Sequence, residues 1–224
     1  MSVTFLQGDI MGKIILFQGD SITDGARMKD CDWDLNHQMG HGYAYIVNST
    51  LGAKHPEKDL KFINKGISGN RVGDLYARWI EDAINIKPDI LSILVGINDC
   101  EQLRFYGRGS DAVRFEKIYR LLLDDMIEQN PDVKIVLMEP FGLPVGDDRR
   151  DSFPEMEAML KGYQEATRKV AEDYGAIFVP LQEKFNELSE KYSPDYWSWD
   201  GIHPTVCGHQ IIADAWMEKC KDII

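Results

Sequence analysis

Three side chains of the types that can together carry out acyl transfer stand in two distant segments of this sequence. One is Ser21, in Gly19-Asp20-Ser21; the others are Asp200 and His203, in Trp199-Asp200-Gly201-Ile202-His203-Pro204. A serine hydroxyl is a weak nucleophile until a base takes its proton, and the base needs an acceptor on its second ring nitrogen to orient it. Asp-x-x-His can offer base and orienter from one tight turn. Each segment also has an ordinary reading. Gly-Asp-Ser is common in turns and helix N-caps, and a histidine entering a helix often serves local hydrogen bonds.

Acyl transfer also builds negative charge on a carbonyl oxygen, which calls for preorganised donors. Two segments could supply them: Asn64-Lys65-Gly66-Ile67-Ser68-Gly69-Asn70 and Gly96-Ile97-Asn98-Asp99. A glycine N–H approaches a ligand closely, and an asparagine amide is a neutral donor. Gly and Asn are equally at home in a plain β-to-α turn. The weight lies in the combination of several donor-bearing loops with a serine and Asp-x-x-His.

The elements that must position these residues alternate. Lys13–Phe17 reads as a buried strand, and Gly42–Leu51 as a helix. A strand at Leu60–Asn64 follows, then a helix over Val72–Ile86 with Leu75, Trp79, Ala83 and Ile86 on one side. Asp89–Val95 is a nearly continuous apolar strand, as expected where both sheet faces are covered. A helix over Asp111–Gln129, a strand at Val133–Met138 and a helix from Phe153 to Tyr174, closed by Gly175, come next. A short strand at Ala176–Val179 and helices near Leu181–Lys191 and Val206–Cys220 complete the chain. This alternation predicts an α/β protein: a flavodoxin-like three-layer α/β/α sandwich around a five-stranded parallel sheet. Ser21 and both donor segments then fall after strands one, two and three, the sheet edge where open α/β folds bind ligands. Residues 13–224 are expected to form the domain and residues 1–12 an N-terminal extension. Within that extension, Phe5–Ile10 (FLQGDI) echoes Leu16–Ser21 (LFQGDS), with Ile10 where the serine would stand.

Taken together, FQGDSITDGAR, NKGISGN followed by DLYARW, LVGINDC and WDGIHPTVCGH resemble the SGNH (GDSL) hydrolase superfamily. Within it they look most like the acetylxylan-esterase type of carbohydrate deacetylase. The resemblance implies that Ser21 is the nucleophile, His203 the general base and Asp200 its orienter. It implies an oxyanion hole formed by the Ser21 N–H, the Gly69 N–H and the Asn98 amide. Gly69, not Gly66, matches the glycine of the second motif. Asp20 is expected to brace the first loop and Asn70 to shape the second. The resemblance implies no metal and no organic cofactor, and a small acetylated sugar as substrate. A lysophospholipase or thioesterase of the same superfamily, acting on longer acyl chains, is the enzymatic alternative. A non-catalytic module binding a phosphate-bearing ligand is a remote one, because two aspartates lie between Gly19 and Gly25 where a phosphate cradle would need donors.

Composition agrees with a folded domain. The 224 residues are 44% hydrophobic and 28% charged, close to the globular average. The net charge of −12 argues against nucleic acid and anionic membrane surfaces as partners. Cys31, Cys100, Cys207 and Cys220 fit neither a zinc site nor a disulfide framework and are expected to be free thiols. No signal peptide or membrane-spanning run is evident, so a cytoplasmic protein is expected, and relatives of this type suggest a homo-oligomer. His37 and His41 are expected on a loop near the site mouth, not as metal ligands, and Asp147–Asp151 as a solvated loop. Tyr196, Trp197 and Trp199 read either as packing for the Asp-x-x-His turn or as a wall for a sugar or a subunit. Of these, Trp199 is marked for activity or assembly. Trp79 is expected to pack and Arg78 to form a salt bridge.

Overall fold

A computed structural model describes residues 12–29 and 35–224, with the backbone alone for 35 and 147–150. The echo at Phe5–Ile10, nearly all of the extension, and Cys31 lie outside the described residues. Five parallel strands form one sheet: β1 (Ile14–Gly19), β2 (Lys61–Asn64), β3 (Ile90–Leu94), β4 (Lys134–Met138) and β5 (Ile177–Val179), in the order β2-β1-β3-β4-β5. The central strands bury every side chain along β3 and nearly all along β1, which explains their unbroken apolar runs.

Helices cover both faces. They are α1 (Ser21–Asp24), α2 (Leu35–Gln38), α3 (Tyr43–Lys54), α4 (Val72–Ala77), α5 (Trp79–Asp82), α6 (Ile97–Tyr106), α7 (Ala112–Gln129), α8 (Asp147–Asp173), α9 (Gln182–Ser189) and α10 (Val206–Cys220). α3 packs on α10, while α4, α7 and α8 form the contiguous second layer. Under α3 and α10, Phe17 meets Tyr43 edge-on at 5.7 Å and Trp216 at 5.5 Å. The Trp216 indole donates to Ser92 Oγ at 2.9 Å, so its polar end is satisfied inside the core.

The strand order reverses direction between β1 and β3. Sheet neighbours on either side of that reversal send their connections to opposite faces, opening a crevice at the carboxyl ends. Gly19 stands opposite Leu94 in the register, so Ser21 follows one lip of the crevice and Asn98 the other.

Three expectations need correction. The single helix over Val72–Ile86 is broken into α4, α5 and a 3-10 turn at Ile84–Ile86. The breaks at Arg78 and Ala83 let the buried Trp79 indole reach the Leu122 carbonyl at 2.9 Å, and leave the Asp82 carbonyl to accept from Gln18 Nε2. Of the expected apolar side, Leu75, Trp79 and Ala83 are buried and Ile86 is partly buried. Second, Asn98 stands in the first turn of α6 rather than in a loop. This helix is hidden in the sequence because acids, Asp99 and Glu101, occupy buried positions where apolar residues would mark a period. Third, Asp147–Asp151 begins α8 instead of forming a loop, and His37 lies within α2.

Candidate active site

The site is assembled from the ends of β1, β2 and β3 and the turn before α10. β1 ends at Gly19; Asp20 then caps α1, its Oδ1 accepting from the Ile22 N–H at 3.0 Å. This cap turns the chain so that Ser21 emerges half-buried at the crevice while Ile22, Thr23 and Asp24 go inward. Burial pushes the Asp20 carboxyl up to about 7, against the lowering pull of the Ile22 N–H and His203. Its Oδ2 has no partner among the described residues.

From the far end of the chain, an isolated antiparallel bridge pairs Ser198 with Pro204 and closes a tight turn. Asp200 Oδ1 accepts from the Ile202 and His203 N–H groups at 2.9 and 2.7 Å, and Ser198 Oγ ties the Gly201 N–H to the His203 carbonyl. The turn is thereby fixed by its own side chains before it meets Ser21. Asp200 Oδ2 lies 2.7 Å from His203 Nδ1, and His203 Nε2 lies 2.8 Å from Ser21 Oγ. Burial alone would raise the Asp200 carboxyl. The hydrogen bonds from the His203 ring and from the two backbone N–H groups outweigh it and hold it down to about 2. With the Nδ1–H donating to a carboxylate, Nε2 is left as an acceptor, and the geometry can take a proton off the serine hydroxyl.

The loop after β2 is pinned to the serine turn by residues that sequence reasoning did not single out. Asp24 Oδ2 accepts from Ser68 N–H at 3.0 Å and Ser68 Oγ at 2.9 Å. The Asn64 amide donates to the carbonyls of Thr23 and Met39. The two glycines differ in what they need. A side chain at Gly66 would run into the Asp24 backbone, whereas Gly69 has open space but a φ of +82°. Gly69 therefore serves the turn shape, and its N–H, like that of Ser21, meets no acceptor among the described residues.

Asn98 reaches back across the crevice, its Nδ2 donating to the Asn70 carbonyl at 3.1 Å. The Asn70 side chain faces away: its Oδ1 accepts from Arg78 Nε, and Arg78 also pairs with Asp82 at 2.9 Å. Beneath Asn98, the buried Asp99 accepts from the Val72 N–H at 3.0 Å and joins α6 to the start of α4; burial pushes its carboxyl up to about 7. The only textual signal for Asp99 is its place beside Asn98.

Trp199 is largely exposed, with its indole stacked on the His203 ring, centroids 5.1 Å apart and planes 13° from parallel. Trp197 is buried, edge-on to Tyr196 at 4.8 Å, so it is Trp197 that packs the turn. His209, on α10, accepts from the Tyr43 N–H at 3.2 Å; burial, then His41 and His203, hold it down to about 4. Among the described residues, no three His, Cys, Asp or Glu side chains are grouped as a metal site would require, and no helix is long and apolar enough to cross a membrane. Cys100, Cys207 and Cys220 are free.

Known proteins resemble this chain along nearly its whole length. Residues 17–211 match the GDSL-like Lipase/Acylhydrolase family. An acetylxylan esterase of Geobacillus stearothermophilus is 37% identical over 210 residues, 93% of this chain and 94% of that protein. Its crystal structure superposes with a TM-score of 0.81 at 34% identity, covering 93% of this chain and 94% of that one. A metagenomic α/β hydrolase from Lake Arreo gives a TM-score of 0.82 at 33% identity, covering 94% and 95%. Catalytic mutants of the Geobacillus enzyme include a serine-to-alanine and an aspartate-to-alanine replacement. The fold and these likenesses define a carboxylic ester hydrolase. The chain belongs to the GDSL-like lipase/acylhydrolase family.

Proposed function

We propose that the protein is a serine esterase that removes acetyl groups from small carbohydrate esters, acetylated xylo-oligosaccharides foremost. The observation that carries this reading is the unbroken chain Ser21 Oγ–His203–Asp200, with contacts of 2.8 and 2.7 Å, at the reversal of the sheet. The catalytic serine and aspartate of the Geobacillus relative, and the acetylxylan substrate in its name, support it.

In the first step His203 Nε2 takes the proton of Ser21 as its oxygen bonds to the ester carbonyl carbon. The carbonyl electrons move onto oxygen, which accepts from the N–H groups of Ser21 and Gly69 and the second N–H of the Asn98 amide. Collapse breaks the bond to the sugar oxygen, which leaves with the proton from His203. Water, deprotonated by His203, then attacks the acetyl-Ser21 carbonyl, and acetate departs as Ser21 regains its proton. Asp200 stays ionised throughout and stabilises the imidazolium that forms twice in the cycle. Every step uses groups of this chain and water. The same reading puts the enzyme in the cytoplasm, on imported oligosaccharides, as a homo-oligomer.

The test is acetate release from an acetylated xylo-oligosaccharide by wild type and by Ser21→Ala. The expected result is release by wild type and a loss of roughly 10⁴-fold or more in the variant. Wild type that ignores the oligosaccharide yet cleaves p-nitrophenyl acetate would keep the serine esterase and remove the sugar assignment. Faster turnover of long-chain than of acetyl p-nitrophenyl esters would move the enzyme to the lysophospholipase or thioesterase side.

A further inference from the structure

We infer that Trp199 is a positioning residue for the reaction, its indole face steadying the His203 ring in the charged form that both transfer steps pass through. The inference rests on the proposed role of His203 as the base. The indole and imidazole are 13° from parallel with centroids 5.1 Å apart, so the ring lies over the aromatic face and not against its edge. An aromatic face carries negative quadrupole and attracts a cation placed above it. The backbone brings the two residues side by side: the Trp199 N–H donates to the His203 carbonyl at 3.1 Å, beside the Ser198–Pro204 bridge. The His203 ring is itself held at both nitrogens, by Asp200 Oδ2 at 2.7 Å and Ser21 Oγ at 2.8 Å, so the indole meets a ring of fixed orientation.

The burial pattern of the neighbourhood points the same way. Tyr196 and Trp197 already contact each other edge-on, and Trp197 is buried against the domain. Packing of the turn therefore does not need Trp199, which remains 64% exposed while holding the stack. An exposed tryptophan stacked on one imidazole is placed for that imidazole. The other groups bearing on His203 are Asp200 on its own turn, Asp20 and Ser21 from the end of β1, and His209 from α10. Asp200 and Asp20 favour the charged ring and His209, if protonated, opposes it. Trp199 is the aromatic member of this set.

The consequence is specific in sign. Removing the indole face withdraws support from the imidazolium, so His203 gives up its proton more readily at equilibrium but is less able to hold one during transfer. The experiment compares wild type, Trp199→Phe and Trp199→Leu on p-nitrophenyl acetate across pH, with the ring signals of His203 followed by NMR titration in the same proteins. For Trp199→Leu the expected result is a kcat lower by about two- to fivefold and an acid limb of kcat/KM moved to lower pH by roughly half a unit. The NMR midpoint moves in the same direction. Trp199→Phe, which keeps a face, falls between the two. A rise in KM with the acid limb and the NMR midpoint unmoved would make Trp199 a substrate contact and overturn the inference, as would Trp199→Phe behaving like Trp199→Leu. The NMR titration is repeated in Ser21→Ala, where no turnover is needed. If Ser21→Ala kept full activity, the serine-esterase reading would fall on its own evidence, separately from the stack.

Discussion

The Asn98 amide offers the cleanest separation of catalysis from stability. Its Nδ2 carries two N–H groups, one of which donates to the Asn70 carbonyl at 3.1 Å and so fixes the plane of the amide. The second N–H is the one assigned to the developing oxyanion. A single oxyanion donor in a preorganised site is worth about 2.7–4 kcal/mol, and each 1.36 kcal/mol is tenfold in rate. Asn98→Ala should therefore lower kcat by roughly 100- to 1,000-fold. The donor bonds the tetrahedral oxygen better than the planar carbonyl, so KM should stay within about threefold. The structural loss is one neutral hydrogen bond, about 1 kcal/mol, at a position in the first turn of α6 where alanine suits the helix. Initial rates on p-nitrophenyl acetate, beside a thermal melt followed by circular dichroism, measure both quantities. Asn98→Asp, of the same shape but carrying negative charge toward the oxyanion, should be slower still. A kcat for Asn98→Ala within tenfold of wild type would refute the assignment, as would an effect confined to KM.

Two further predictions concern the scaffold. Asp24→Ala strips three acceptor contacts, from Ser68 N–H, Ser68 Oγ and Arg27 N–H, out of a buried position and removes the Asp24–Arg27 ion pair. It should destabilise the fold by about 2–4 kcal/mol and reduce activity through the displaced loop; a melting temperature equal to wild type would show that the loop is held elsewhere. His209, held neutral at about 4 against an ordinary 6.5, contributes stability that is complete above pH 6.5 and is lost as pH falls toward 4, up to roughly 3 kcal/mol. Asp20 and Asp99, pushed up to about 7, act oppositely: their contribution is fullest below about pH 4 and fades as pH rises through 7. The His209 part is isolated by difference. The gap in melting temperature between wild type and His209→Gln should narrow from pH 6.5 to 4, and a constant gap would remove His209 as the cause.

Much of this site was legible in the sequence because its chemistry is carried by local motifs. Asp200 and His203 are three residues apart and bond within one turn, so the pair is visible in the text. Ser21, Gly69 and Asn98 each follow a strand whose apolar run announces it, and parallel strands deliver their ends to one edge. The strands themselves were readable because burial on both faces demands continuous apolar residues. What stayed hidden depends on partners distant in the chain. Asp24 matters because Ser68 comes to it, and Asp99 because Val72 does. α6 was masked by its buried acids, and the break at Arg78 answers to Leu122 and Gln18 on other elements. Asn70 is expected from the sequence to shape its loop, and how it does so depends on distant partners: its side chain is taken by Arg78 and its carbonyl orients Asn98. The sequence by itself determined which groups could react and which edge of the sheet would carry them, because both follow from residue type and short-range periodicity. Only the tertiary structure decided the Ser21–His203 contact across 182 positions, the pinning of the loop after β2 and the stacking of Trp199 on His203. Those depend on how packed elements from different parts of the chain aim their side chains, which no local pattern encodes.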